Sequence, residues 1–330
     1  MKLLELLTQT NGVSGNEEAV CDIIKKEMSD FADEIYTDGL GNLIAHKKGN
    51  GKKLMISAHA DEIGVMVTYI EENGFLRFAS VGGVDVYNAV NTRVIFSNGV
   101  CGVVSYEGTI DIKKDLAVSK MYIDIGAENR EEASKLVNIG DVAVFVGGFV
   151  TNGKMIVSKA LDNRAGVYAL IKAAQQCDTL AFDTYYVFSS QEELGLRGAK
   201  TAAFAINPDY ALAVDITATG DIPNSAVSSV KLGGGACIKI MDRSVVCHPA
   251  MRRALEKCAS ENNIPVQNEV LTFGGTDAGA IHTTGDGVVT GGISVPVRYI
   301  HSPSETAFKD DIEAVINLIG SFIKTNYIEN

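Results

Sequence analysis

Apolar positions along the chain recur with two different periods. Val20, Ile23, Ile24 and Met28 follow helical spacing after Ser14-Gly15-Asn16-Glu17-Glu18, which supplies a polar cap and first-turn acids. The opening Met1-Lys2-Leu3-Leu4-Glu5-Leu6-Leu7 is too short for a signal peptide and has a Glu inside it, so it reads as an amphipathic first helix. Leu54-Met55-Ile56-Ser57-Ala58, by contrast, is the short apolar run of a strand buried on both faces, and it ends at His59-Ala60-Asp61-Glu62. From about residue 66 the texture changes. Val65–Ile70 and Phe75–Phe78 flank Glu72-Asn73-Gly74 as a hairpin, and Thr92–Phe96 with Val100–Val104 repeats the pattern. Short strands continue to about Val150, broken by one helical stretch near Glu128–Leu136.

From about residue 155 strand and helix alternate again, with helices expected at 163–176, 193–204 and 309–326 and strands at 184–190 and 210–216. This order predicts an α/β fold: a doubly wound, mostly parallel sheet built by residues 1–65 and 156–330, interrupted by a smaller β-rich insertion domain over 66–155. The length of 330 residues fits two domains at roughly 150 residues each.

Composition narrows the function classes. With 46% hydrophobic residues and only 6 prolines the chain can bury a large core, which excludes a disordered protein. No apolar run approaches the roughly 18 residues of a membrane span. Lys plus Arg number 29 against 41 Asp plus Glu, a net charge of −12, and no basic stripe is present, so neither nucleic acid nor membrane is an expected partner. Most of the acid excess is solvated surface, but some of it can be gathered for a metal. Six cysteines (Cys21, Cys101, Cys177, Cys237, Cys247 and Cys258) lack C-x-x-C spacing, which suggests free thiols and a cytoplasmic location.

Ligands of open α/β sheets bind beyond the carboxyl ends of the strands. The residues expected there are His59 and Asp61, Asp162, Glu192 and Glu193, Asp215, and His301. Taken singly each has a plain structural explanation: a polar strand end, a helix cap, or acids opening a helix. Five strand ends each delivering a His or a carboxylate is a different matter. That set suits zinc, cobalt or manganese, and five candidate ligands, one of them able to bridge, suit two divalent ions. Of the adjacent Glu192 and Glu193, one can bind metal while the other stays free as general base. Asp61, two residues past His59, can hold the imidazole from behind. Gly274, Gly275 and Thr276 belong to a glycine-rich loop that either shapes a substrate pocket or is a structural turn. His46, His248 and His282 have no partner at metal spacing, and Cys247-His248 lacks the oriented third group that thiol catalysis needs.

At these residues the sequence resembles the glutamyl or tetrahedral aminopeptidases, cocatalytic dinuclear metallopeptidases. The resemblance is carried by Ser57–Gly64, Lys159–Arg164, Ser190–Ala199, Val214–Ile216, Gly274–Ala278 and Arg298–Pro303, in order along essentially the whole chain. It implies that Asp162 bridges two ions, that His59 and Asp215 complete one site and Glu193 and His301 the other, and that Glu192 is the general base. It also implies peptide substrates and an insertion domain that mediates dimers and hollow twelve-subunit tetrahedra. Three rivals remain: a dinuclear N-acyl amino acid deacylase or carboxypeptidase, a glycoside hydrolase (some members of the family carry an endoglucanase label), and a scaffold with structural metals. Glycosidases need two carboxyls flanking the bond, whereas the acids here are better explained as ligands. Structural zinc sites are commonly cysteine-rich, and this set has no cysteine.

Overall fold

A computed structural model describes residues 1–177, 179–225 and 228–328. Its main sheet has eight strands, and its centre is four parallel ones in the order Asp183–Ser189, Lys53–His59, Tyr210–Ala218 and Val289–Val297. The flanks run the other way: Leu43–Lys47 pairs antiparallel with Asp183–Ser189, and Ala236–Met241 pairs antiparallel with Val289–Val297. The sheet is therefore parallel where the candidate ligands emerge and mixed at its margins, a common arrangement in large α/β sheets.

Both faces of the central strands are covered, which explains their unbroken apolar runs. Leu54, Ile56 and Ala58 share one core with residues of the helices Leu161–Gln175 and Lys309–Lys324. Met55, one residue out of phase, packs on the opposite face with Ala199, Ala202 and Ala203 of the helix Arg197–Ile206. Small residues let that helix lie close to the sheet. Gly198 in particular has no room for a Cβ, which would strike the Asn42 side chain and the Ser190 carbonyl.

Six strands between Gly64 and Phe145 close into a separate barrel with its own core, including Val65, Leu76, Val94, Val104 and Ile123. The expected hairpins form as Gly64–Ile70 with Leu76–Val81 and as Arg93–Phe96 with Cys101–Tyr106, and the intervening helix runs Arg130–Leu136. Gly74 turns the first hairpin at a left-handed φ of 87°. The strands Val150–Asn152 and Met155–Ser158 do not join the barrel. Met155–Ser158 pairs on one side with Val150–Asn152 and on the other with Glu305–Phe308, a small three-stranded sheet that brings the segment after Ser158 against the loop before Glu305. Among the described residues no helix is long and apolar enough to cross a membrane.

One helix boundary differs from expectation in a way that bears on the site. The helix predicted from residue 193 begins at Arg197, so Glu192 and Glu193 open no helix. They lie in a loop between Ser189 and Arg197, in which Gln191 and Leu196 adopt left-handed φ values of 54° and 59°. A helix dipole therefore does not explain this pair of acids.

A buried ion cluster ties the first helix to this framework. Arg164, with no exposed surface, donates from Nη1 to the carbonyls of Leu7 and Thr10 and so caps the C-terminal end of Lys2–Gln9. Lys159 Nζ donates to both oxygens of Glu62, at 2.8 and 2.6 Å, and Glu62 also accepts the Gly12 amide. Removing one partner of a buried pair strands the other charge, at a cost of about 3–5 kcal/mol. Urea unfolding of Glu62→Ala should show a loss of about that size, whereas Glu131→Ala, in the exposed Lys135–Glu131 pair, should leave stability essentially unchanged.

Candidate active site

Two central strands carry ligand candidates directly. His59 is the last residue of Lys53–His59, and Asp215 lies within Tyr210–Ala218. The other three lie beyond strand ends, Asp162 at the non-helical start of Leu161–Gln175 and the other two on loops. Asp162 follows the strand Met155–Ser158, Glu193 lies beyond Asp183–Ser189, and His301 precedes Glu305–Phe308. These five come together as two groups that share one residue, His59–Asp162–Asp215 and Asp162–Glu193–His301. Asp162 Oδ1 lies 3.1 Å from His59 Nε2, and its Oδ2 lies 3.3 Å from His301 Nε2. His301 Nε2 is 3.2 Å from Glu193, and His59 Nε2 is 3.6 Å from Asp215. Glu192 stands beside both groups but belongs to neither, 3.9 Å from His59.

Each imidazole is oriented from behind. His59 Nδ1 is 3.2 Å from the Asp61 carbonyl and 3.3 Å from its carboxylate, and His301 Nδ1 donates to the Gly83 carbonyl at 2.9 Å. In both rings Nε2 is left to face the carboxylates, the arrangement of a metal-ligating histidine. Gly83 belongs to the loop after the barrel strand Leu76–Val81, and a Cβ there would strike the His301 ring.

The loop bearing Glu192 and Glu193 has no ladder to hold it, yet four consecutive amides are captured by buried side chains. Ser190 N donates to Asn42, Gln191 N to Glu17, and Glu192 N and Glu193 N to the two oxygens of Asp61. Asp61 also accepts the Ser14 hydroxyl at 2.6 Å. Asn163, next to Asp162, donates to the Val214 carbonyl and accepts the Gly166 amide, which joins the Asp162 loop to the strand of Asp215.

Electrostatics follow from four carboxylates and two imidazoles with little access to water. Burial opposes protonation of His59, but Glu192, Asp162, Asp215 and Asp61 outweigh it and hold the imidazole well above its usual range. His301 is pushed up to about 12 against its burial by Asp162 and Glu193. Asp162 is held low despite burial because both imidazoles bond to it. Burial pushes Glu193 and Asp215 up, and pushes Glu192 well up, with Asp215 and Glu193 adding to the effect on Glu192 against the pull of His59. The cluster is thus surplus in negative charge, and burying anions without cations is expensive. An all-nitrogen-and-oxygen donor set of this kind fits zinc, cobalt or manganese.

A cavity of about 380 Å³ opens beside the cluster, lined by Ile216, Leu271, Phe273 and by Gly274, Gly275 and Thr276 of the glycine-rich loop. Sequence reasoning missed what lies deeper. Lys239, 1% exposed, bonds to Glu269 and lies 3.4 Å from Asp242, which accepts the Thr276 hydroxyl. A lysine inside the apolar run Ala236–Met241 was the available signal. Asp277 was also missed. It is buried, accepts the Ser189 hydroxyl, and is pushed up to about 6 by its burial. The remaining histidines stay outside: His46 stacks on Tyr185 and bonds to Asp183, while His248 and His282 line a separate cleft. Burial pushes the Cys247 thiol up to about 12, away from a nucleophilic thiolate.

The sheet, parallel at its centre with a His–carboxylate cluster at its carboxyl edge, and the closed six-stranded barrel together make a fold shared with solved aminopeptidases. The chain belongs to the M42 glutamyl aminopeptidase family, whose model matches residues 41–318. It is 56% identical over 317 residues to a chain of Acetivibrio thermocellus provisionally named an aminopeptidase, covering 96% of each. It is 33% identical to the lysyl aminopeptidase of Pyrococcus furiosus, over 98% of this chain and 96% of that one. Among solved structures, an aminopeptidase of the archaeon Desulfurococcus kamchatkensis superposes with a TM-score of 0.95 at 36% identity, covering 99% of this chain and 95% of that one. The TET1 peptidase of Pyrococcus horikoshii, described as assembling into a tetrahedron or a large octahedral shell, superposes at 0.88 with 36% identity and 98% coverage of each.

Asp61→Asn keeps the volume but sets an amide NH₂ against the N–H of Glu192 or Glu193. A buried donor left unsatisfied costs about 1–3 kcal/mol. Denaturant unfolding of the chelator-treated variant should show that loss, and wild-type stability would mean that the loop does not depend on Asp61.

Proposed function

We propose that the chain is an aminopeptidase that uses two divalent metal ions, with Glu192 as the general base. The observation that carries this reading is the shared Asp162: each of its oxygens faces a different imidazole, and Glu192 stands free of both groups. His59, Asp162 and Asp215 would hold one ion, and Asp162, Glu193 and His301 the other, with zinc the first choice and cobalt or manganese the alternatives. Bound there, such ions supply Lewis acidity to a scissile carbonyl and to the attacking water. The chain's own residues do the rest. Glu192, its carboxyl raised by burial, takes the proton of the attacking water and returns one to the leaving amine. Asp61 keeps Glu192 and Glu193 at fixed positions through their amides and orients His59. The adjoining cavity, with Gly274, Gly275 and Thr276 on its wall, would receive the N-terminal side chain.

Peptides are the proposed substrates, and homo-oligomeric assembly is proposed from the likeness to the shell-forming Pyrococcus horikoshii peptidase. The test is a panel of Glu, Leu and Lys p-nitroanilides, each with a free or acetylated amine, on chelator-treated protein given zinc, cobalt or manganese singly. Cleavage of the free amines alone is expected. Release of acetate and a free α-amine from the acetylated substrates, without p-nitroaniline, would instead make the enzyme a deacylase, and silence throughout would refute peptidase activity. Glu192→Gln should keep metal binding but lose roughly 10²- to 10⁴-fold in kcat, the usual contribution of a general base.

A further inference from the structure

The two ligand groups are supported differently. In His59–Asp162–Asp215, two of three residues sit on central strands whose ladders fix their backbones. In Asp162–Glu193–His301, no residue is on a strand: Asp162 sits at the non-helical start of Leu161–Gln175, and Glu193 and His301 are on loops. The amides of that second group go to carboxylates. Glu193 N donates to Asp61, while Asp162 N donates to Glu305 Oε2 at 2.9 Å and His301 N to Glu305 Oε1 at 2.8 Å.

Glu305 is 2% exposed and spends both oxygens on these two amides. The nearby ammonium of Lys159 bonds to Glu62 instead. As the first residue of Glu305–Phe308, it pairs opposite Ser158, the last strand residue before the Asp162 loop. The loop carrying His301 is closed by the reciprocal backbone bonds of Arg298 and Thr306, and within it Tyr299 and His301 hold left-handed φ values of 60° and 58°. Where that ladder ends, one carboxylate therefore bonds to the amides of both ligand-bearing segments, and His301 keeps a backbone conformation that needs such support.

Building on the two-ion reading, we propose that Glu305 is a positioning residue that sets the spacing of Asp162 and His301 and thereby makes the second ion site. Partners that orient metal ligands typically contribute 10–100-fold to metal affinity. Asp311 provides a matched control: it is equally buried and accepts the amides of Gly233 and Gly235, neither of which is a ligand candidate.

Zinc affinities of stripped wild type, Glu305→Gln and Asp311→Asn, measured by competition with a chromogenic chelator, separate the roles without reference to activity. Glu305→Gln should weaken one zinc site at least ten-fold more than the other, while Asp311→Asn keeps the wild-type ratio even if it unfolds more easily. Glu305→Asp retains both acceptors on a shorter arm, and it should show the same split at smaller size if the Gln variant fails to fold. Equal weakening of both sites, no weakening, or the same split in Asp311→Asn would overturn the assignment. A wild-type protein that takes up fewer than two zinc ions would sink the two-ion reading and this inference with it.

Discussion

Burying four carboxylates around two imidazoles is the constraint on which the rest of the structure turns. Asp162 sits at its centre, one oxygen toward His59 and the other toward His301. Such a cluster is stable only if its members are held against mutual repulsion and supplied with positive charge. The framework meets the first requirement with rigid supports, two strands for His59 and Asp215 and buried acceptors for the loops. The second requirement is what the proposed ions satisfy.

The supports come from distant parts of the chain. Glu17 and Asn42 hold the loop before Glu192, and Asp61 holds Glu192 and Glu193 themselves. The barrel contributes the Gly83 carbonyl behind His301. Glu62, Lys159 and Arg164 then anchor the first helix against the same region. Stability and chemistry are therefore coupled here: the groups that position the ligands are also buried polar groups whose loss costs folding energy.

Much of this was legible in the sequence, for identifiable reasons. Runs such as Leu54–Ala58 are apolar on both faces because helices cover both sides of the sheet, so the strand and its polar end at His59 could be read together. The barrel hairpins announced themselves through turns such as Asn73-Gly74. The start of the helix after Glu193 was misread because two adjacent acids look like a first turn, whereas Gln191 and Leu196 take left-handed conformations that composition does not signal. Glu305, Glu17 and Asn42 were invisible for a different reason. Each is an ordinary polar residue whose role appears only when a backbone amide many positions away, 143 to 174 among Asp162, Ser190 and Gln191, is brought to it.

The central claim is that Asp162 lies between two metal sites, each completed by a different histidine. Anomalous diffraction at the zinc edge from crystals of the zinc-loaded protein tests it most directly. The account predicts two peaks roughly 3.5–4 Å apart, one bounded by His59 and Asp215, the other by Glu193 and His301, with Asp162 touching both and Glu192 ligating neither. A single peak, or a peak held by Glu192, would contradict it.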